Sequence, residues 1–131
     1  AAELVGRFKN DRRALRSIAL STDTSVLTCI ANDYSFETIF SRQIQALAKP
    51  IDVLIGISTS GDSQNVSNAL NIAQTMGVRT VGLLGKSGGS SLNYCDHSII
   101  VPSASTARIQ EVHIFIGHLL CELIEYQLNI S

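Results

Sequence analysis

The sequence predicts an α/β chain, a doubly wound parallel sheet flanked by helices. Stretches that are apolar throughout, such as Val53-Leu54-Ile55-Gly56-Ile57, alternate with segments of helical periodicity. That pattern belongs to strands buried under crossover helices. The length, 131 residues, suffices for one domain with a real core and falls short of two ordinary ones. The composition is 45% hydrophobic and 16% charged, with a mean hydropathy of +0.22. This speaks against disorder and implies a sheet covered on both faces, burial against partners, or, as expected here, both.

Residues 1–9 carry Leu4 and Phe8 at i, i+4 on one face and read as the end of a helix. No methionine and no capping residue precede this stretch, so more chain is expected upstream. Ser17-Ile18-Ala19-Leu20 is short and apolar, and reads as a buried strand before the loop Ser21-Thr22-Asp23-Thr24. Residues 24–30 form a short helix or turn, and Ala31-Asn32-Asp33-Tyr34 a loop. Phe36, Ile39, Phe40, Ile44 and Leu47 recur at helical spacing over 35–48. After Pro50, 52–57 is a continuous apolar strand, and 63–76 a helix stopped by Gly77. Further strands are predicted at 78–84 and 97–101, with a flexible Gly/Ser loop at 85–91 between them. The final helix, 106–128, has apolar residues on more than one stripe, among them Ile109, Val112, Phe115, Leu119 and Leu123. A helix apolar on two sides is buried on two sides, so one is expected on the sheet and the other on a second subunit.

The net charge of −1 gives no global attraction to nucleic acid or an anionic membrane. Five of the ten basic residues, Arg7, Lys9, Arg12, Arg13 and Arg16, lie within one short segment. This segment reads as a solvated loop, the sharper alternative being an arginine that faces an anionic substrate. Cys29, Cys95 and Cys121 are odd in number and widely spaced, which fits a reducing cytoplasm rather than a disulfide framework or zinc knuckle. No apolar run reaches the ~18 residues of a membrane span.

The stretch with the most chemistry is Ser58-Thr59-Ser60-Gly61-Asp62-Ser63, where a buried strand ends and a helix begins. Parallel sheets bind ligands beyond the carboxyl ends of their strands. The first N–H groups of the next helix lack intrahelical partners, and its dipole favours an anion. The hydroxyls of Ser58, Thr59, Ser60 and Ser63 add neutral donors, and Gly61 lets the backbone approach. No Gly-Lys-Ser/Thr follows, so this is not a nucleotide-hydrolysing loop. The plainer alternative is a connection in which one Ser or Asp caps the helix and the rest is filler.

"DVLIGISTSGDSQNV" resembles the phosphosugar-binding turn of the sugar isomerase (SIS) domain. With "AAELVGRF", "CIANDYSFETIFSRQ" and "TARIQEVHIFIGHLLCELIE", the resemblance is to the phosphoheptose isomerase family over nearly the whole chain. It implies a flavodoxin-like SIS domain over 1–131, lacking its N-terminal helix, first strand and a first Gly-rich turn. It implies interconversion of sedoheptulose 7-phosphate and glycero-manno-heptose 7-phosphate, toward the heptose of the lipopolysaccharide core. Ser58, Thr59, Ser60 and Ser63 would hold the phosphate, and Asn32 and Asp33 the sugar hydroxyls. Glu3 and His118 match the catalytic pair, and Gln110 a residue that binds substrate. The resemblance also implies one zinc per subunit on Glu3, Gln110 and His118, and a cytoplasmic homotetramer with sites at its interfaces.

The chemistry suits these residue types. Moving a carbonyl from C2 to C1 transfers a proton between neighbouring carbons through an enediol; a carboxylate can take that proton and an imidazole can serve an oxygen. A zinc ion at the two oxygens would stabilise enediolate charge. Outside the resemblance, Glu3 would read as solvated, His118 as a core histidine, and His113, on another helix face, as structural. Gln110 and His118 stand eight residues apart, roughly 12 Å of helix rise, a long span for two ligands of one metal unless they come from different subunits. The family's Gly-Asn-Gly-Gly-Ser turn and a histidine one helical turn before the glutamate have no counterpart here, so weak activity and poor zinc retention are expected of this chain alone. A non-catalytic SIS module that binds a phosphosugar or a replication-initiation protein is the competing reading, against which Glu3 and His118 together weigh.

Overall fold

Strands β1 (Val53–Ser58), β2 (Arg79–Gly85) and β3 (His97–Val101) form a parallel sheet in the order β1-β2-β3. The structure is a computed structural model describing residues 1–128. By internal contacts the chain separates into two units, one of residues 20–110 and one of residues 1–19 with the chain from 111 onward.

In the 20–110 unit, the helices α2 (Thr24–Asp33), α3 (Ser41–Leu47) and α4 (Gln64–Thr75) accompany the sheet. Asp23 caps α2 by accepting a hydrogen bond from Val26 N at 3.0 Å. This helix runs through Asn32 and Asp33, which the sequence reading placed in a loop. The helix read over 35–48 is broken into a 3₁₀ turn, Phe36–Thr38, and the shorter α3. The Thr38 hydroxyl donates to the Ser35 carbonyl and that of Ser41 to the Thr38 carbonyl, so side chains compete with the helical ladder at the break. Helix α4 ends as predicted, with Gly77 at φ +74° and Val78 N bonded to the Ala73 carbonyl at 2.9 Å.

The core joins Ile44 of α3, Ala69 and Ala73 of α4, and Val78, with Leu20, Phe40 and Leu54 packed against it. Leu70 is fully buried and lies against Gly56, where an added Cβ would stand 3.0 Å from its Cδ1. Alternate residues of β1 point the other way: Val53, Ile55 and Ile57 are each about half exposed. Helices thus cover one face of this strand, where burial on both was expected. The predicted strand at 17–20 is irregular. Ile18 is exposed, while the Leu20 carbonyl accepts from Gln43 Nε2 at 3.0 Å; four apolar residues can pack as a loop as readily as a strand.

The other unit contains α1 (Ala2–Val5) and most of α5 (Thr106–Gln127), the long helix of the sequence reading. Helix α1 stops far short of the predicted residue 9. The reason is Glu125, whose buried carboxylate takes the backbone N–H groups of Phe8, Lys9 and Asn10 at 3.1 to 3.2 Å, in place of helical carbonyls. Arg12 Nε completes the cage at 2.8 Å, and both side chains of this ion pair are buried. Arg12 therefore belongs to neither alternative offered for the basic segment. Burial alone would raise the Glu125 pKa, but the donors from Phe8, Asn10, Lys9 and Arg12 outweigh it and hold the group below its ordinary 4.5. In the 20–110 unit, Asp96 is likewise lowered, foremost by the Thr80 backbone N–H at 2.7 Å.

Two outcomes follow for stability. Leu70→Ala should cost about 2–5 kcal/mol in urea unfolding, the range for emptying a well-packed leucine site; a loss well below that would mean the sheet collapses onto the gap. Glu125 and Asp96 bind protons less readily folded than unfolded, so their contribution is complete above ordinary carboxylate values and is lost as pH falls through the lowered ones. Melting temperature should drop below about pH 4.5, and less steeply in Glu125→Gln; equal slopes would remove Glu125 from the account.

Candidate functional site

The β1–α4 connection is built by serine hydroxyls turned inward. Ser58 is buried, and its Oγ accepts from Gly61 N at 3.0 Å and donates to Ser63 Oγ at 3.1 Å. Ser60 Oγ accepts from Asp62 N at 3.1 Å. Ser63 is the N-cap residue of α4, yet its side chain makes no capping bond to the helix. Val66 N is taken by Asn65 Oδ1 at 2.8 Å and the Ser63 carbonyl at 3.0 Å, so it is the N–H groups of Gln64 and Asn65, at the start of this twelve-residue helix, that remain for a ligand. The plain capped connection considered from sequence is thus not what forms. Ser58 braces the turn, whereas Thr59, Ser60 and Ser63 are only partly buried.

The loop after β2, expected to be flexible, is anchored on this turn. Ser91 N donates to the Gly61 carbonyl and Ser90 N to Asp62 Oδ1, each at 2.8 Å, while Ser91 and Ser67 of α4 share a buried hydroxyl contact at 2.8 Å. Gly61, Gly88 and Gly89 have φ of +73°, +93° and +55°. A Cβ on Gly61 would collide with the Gly88 carbonyl, so the two loops meet backbone to backbone. Gly85 is equally closed, since a Cβ there would strike the Thr59 carbonyl. The paired glycines after a strand were the available signal for this second wall.

Asn32 and Asp33 lie at the end of α2, where Asn32 Nδ2 donates to Asp33 Oδ1 at 2.9 Å on an exposed surface. Neighbouring Tyr34 carries the Arg42 guanidinium 3.8 Å over its ring. That pair lines a cleft of about 330 Å³ with Asn68 and Asn71, and the cleft includes no residue singled out from sequence as a site residue. Gln110 is exposed on α5.

Glu3 and His118 fall in the same unit. His118 is exposed rather than a core residue, and its ring stacks on Phe8 at 5.5 Å between centroids and 26° between planes. His113 is the buried histidine of α5, in agreement with its structural reading. The Glu3 carbonyl accepts from Arg12 Nη2 at 2.7 Å. Burial raises the pKa of the Cys121 thiol, one turn beyond His118, and the Glu3 carboxylate is among the charges that reach it. Among the described residues no three His, Cys, Asp or Glu side chains gather as a metal-binding group.

The SIS domain family model matches residues 1–85. The phosphoheptose isomerase of a Nitratiruptor species is 61% identical over 125 residues, which are 95% of this chain and 67% of that protein. The chain belongs to the phosphoheptose isomerase family of SIS-domain proteins. The Clostridium acetobutylicum phosphoheptose isomerase is 55% identical over 98% of this chain and 65% of its own length. Among solved structures, the phosphoheptose isomerase of Neisseria gonorrhoeae superposes with a TM-score of 0.90 at 43% identity, over 96% of this chain and 67% of that one. The chain thus spans about two thirds of the length of the relatives it matches.

Replacing Gly61 by Ala should destabilise this SIS domain by about 1–3 kcal/mol, since a side chain there is strained by backbone angle and blocked by the Gly88 carbonyl. Urea unfolding measures the loss. A midpoint equal to that of the unaltered chain would show that the two loops separate freely and do not form a common wall.

Proposed function

We propose that the protein is an aldose–ketose isomerase that interconverts sedoheptulose 7-phosphate and D-glycero-D-manno-heptose 7-phosphate, for the heptose of the lipopolysaccharide core. The observation that carries this reading is the 58–63 turn, in which the N-cap hydroxyl of α4 is not spent on capping. The family supplies the substrate class, since its members named above are phosphoheptose isomerases.

In this reading the substrate phosphate sits at the start of α4. It receives the N–H groups of Gln64 and Asn65 and the hydroxyls of Thr59, Ser60 and Ser63, with Ser58 holding the turn in shape. Asn32 and Asp33 take the sugar hydroxyls. Glu3 and His118 form the proton-transfer pair: a proton leaves the carbon beside the carbonyl, an enediol forms, and the proton returns to the neighbouring carbon while the oxygens exchange theirs. The electrons stay within the substrate.

Zinc, one per subunit, belongs to the proposal through Glu3, Gln110 and His118. Catalytic zinc ordinarily takes three strong protein ligands. A carboxylate and an imidazole suit it, whereas an amide is a weak third donor, so this set does not by itself fit a complete site. The reaction is therefore written without the metal. Val112, Phe115, Leu119, Leu123 and Tyr126 stand exposed on α5, which supports the proposed homotetramer. The described helices include none long and apolar enough to cross a membrane, and the three cysteines are free, as a cytoplasmic enzyme would have them.

The test adds sedoheptulose 7-phosphate and follows the aldose by NMR. Formation of the aldose, abolished in Ser60→Ala/Ser63→Ala, is expected of the protein extended to the full length of its relatives. This chain alone should turn over more slowly and hold less than one zinc. Binding without conversion by the longer protein would transfer the assignment to a phosphosugar-sensing module.

A further inference from the structure

The Arg12–Glu125 pair has no part in the binding and proton-transfer roles assigned above, although both of its side chains are buried and the carboxylate takes the N–H groups of Phe8, Lys9 and Asn10. Its two ends lead to the two proposed proton-transfer residues. On one side, Arg12 Nη2 holds the Glu3 carbonyl at 2.7 Å and Nη1 holds the Leu4 carbonyl at 3.0 Å. On the other, Glu125 Oε1 holds Phe8 N at 3.1 Å, and the Phe8 ring lies against the His118 imidazole. Both side chains are shut away from solvent, so neither can meet a substrate.

We propose that Arg12 and Glu125 are positioning residues, which set the Glu3 backbone through the guanidinium and the His118 ring through Phe8. The assignment rests on the isomerase reading for its catalytic meaning, but its geometry does not. Two physical features favour it over a purely stabilising role. A buried ion pair gains little net stability because desolvation consumes most of its attraction, whereas its direction is rigid. The planar guanidinium also presents donors in a fixed fork, so one side chain can hold Glu125, Glu3 and Leu4 in a set relation. Phe8 passes that order on: its N–H is fixed by the carboxylate, and its ring limits the rotation of an otherwise exposed imidazole. Proton transfer requires such limits, since a misplacement of about 1 Å can cost on the order of a hundredfold in rate.

Two readouts test this, on the chain itself and on the protein extended to its relatives' length. The first is the NMR shift of the His118 ring protons, which stacking on Phe8 moves upfield. It should vanish in Phe8→Leu, and shrink in Arg12→Lys and Glu125→Gln even though these leave Phe8 in place. The second is kinetic: Phe8→Leu and Arg12→Lys should lower kcat by about tenfold or more with KM within about twofold, as loss of transition-state alignment does. Phe8→Leu keeps both charged partners and so serves even if Glu125→Gln fails to fold. An unchanged His118 shift in a folded Arg12→Lys variant would overturn the proposal, and so would an unchanged kcat in Phe8→Leu. If the unaltered longer protein does not turn over at all, the isomerase reading fails while the ring-proton arm still decides the positioning.

Discussion

The carboxylate of Glu125 directs the course of the chain on either side of Phe8. Left in an apolar setting without donors it would have to take up a proton; instead the N–H groups of Phe8, Lys9 and Asn10 and the Arg12 guanidinium surround it. Those N–H groups are then withdrawn from helix formation, which ends α1 after one turn. The guanidinium, spent on Glu125 along one edge, uses the other on the Glu3 and Leu4 carbonyls. One buried charge thus accounts for the irregular course of this segment.

In the 20–110 unit the equivalent constraint is close approach. Gly56 admits Leu70 to the sheet, and Gly61, Gly85, Gly88 and Gly89 let the loops after β1 and β2 touch through their backbones. The outcome is a turn walled on one side by the 85–91 loop and closed beneath by the Ser58 hydroxyl. What it leaves open is the start of α4, where the helix dipole and unpartnered N–H groups favour an anion. An anion held this way would need no arginine or lysine, and none of the residues of the 58–63 turn is basic.

How far this was legible depended on whether a signal is local. Ser58-Thr59-Ser60-Gly61 could be read as an anion turn because strand end, hydroxyls, glycine and helix start are consecutive. The exposed position of His118 could not, since its neighbours Ile116, Leu119 and Leu120 are apolar and only packing decides which helix face is covered. The strand expected at 17–20 failed for a related reason: its four residues carry no period long enough to separate strand from loop. Arg12 looked like one of five similar basic residues until the fold paired it with a glutamate 113 positions away.

The sequence by itself determined the alternation of strands and helices, the parallel sheet, the Gly77 stop, the long α5 and the place of the serine-rich turn between β1 and α4. These rest on periodicity, backbone conformation and capping, which act over a few residues. Only the tertiary structure decided that Ser58 braces the turn while the Ser63 hydroxyl does not cap the helix, and that Gly88 and Gly89 form its wall. It alone decided that Glu125 cuts short α1 and ties Glu3 and Phe8 to one buried pair. The loop wall and the Glu125 pair depend on partners remote in sequence, and a hydrogen bond or a steric contact leaves no trace in the order of residues until the chain has closed the distance.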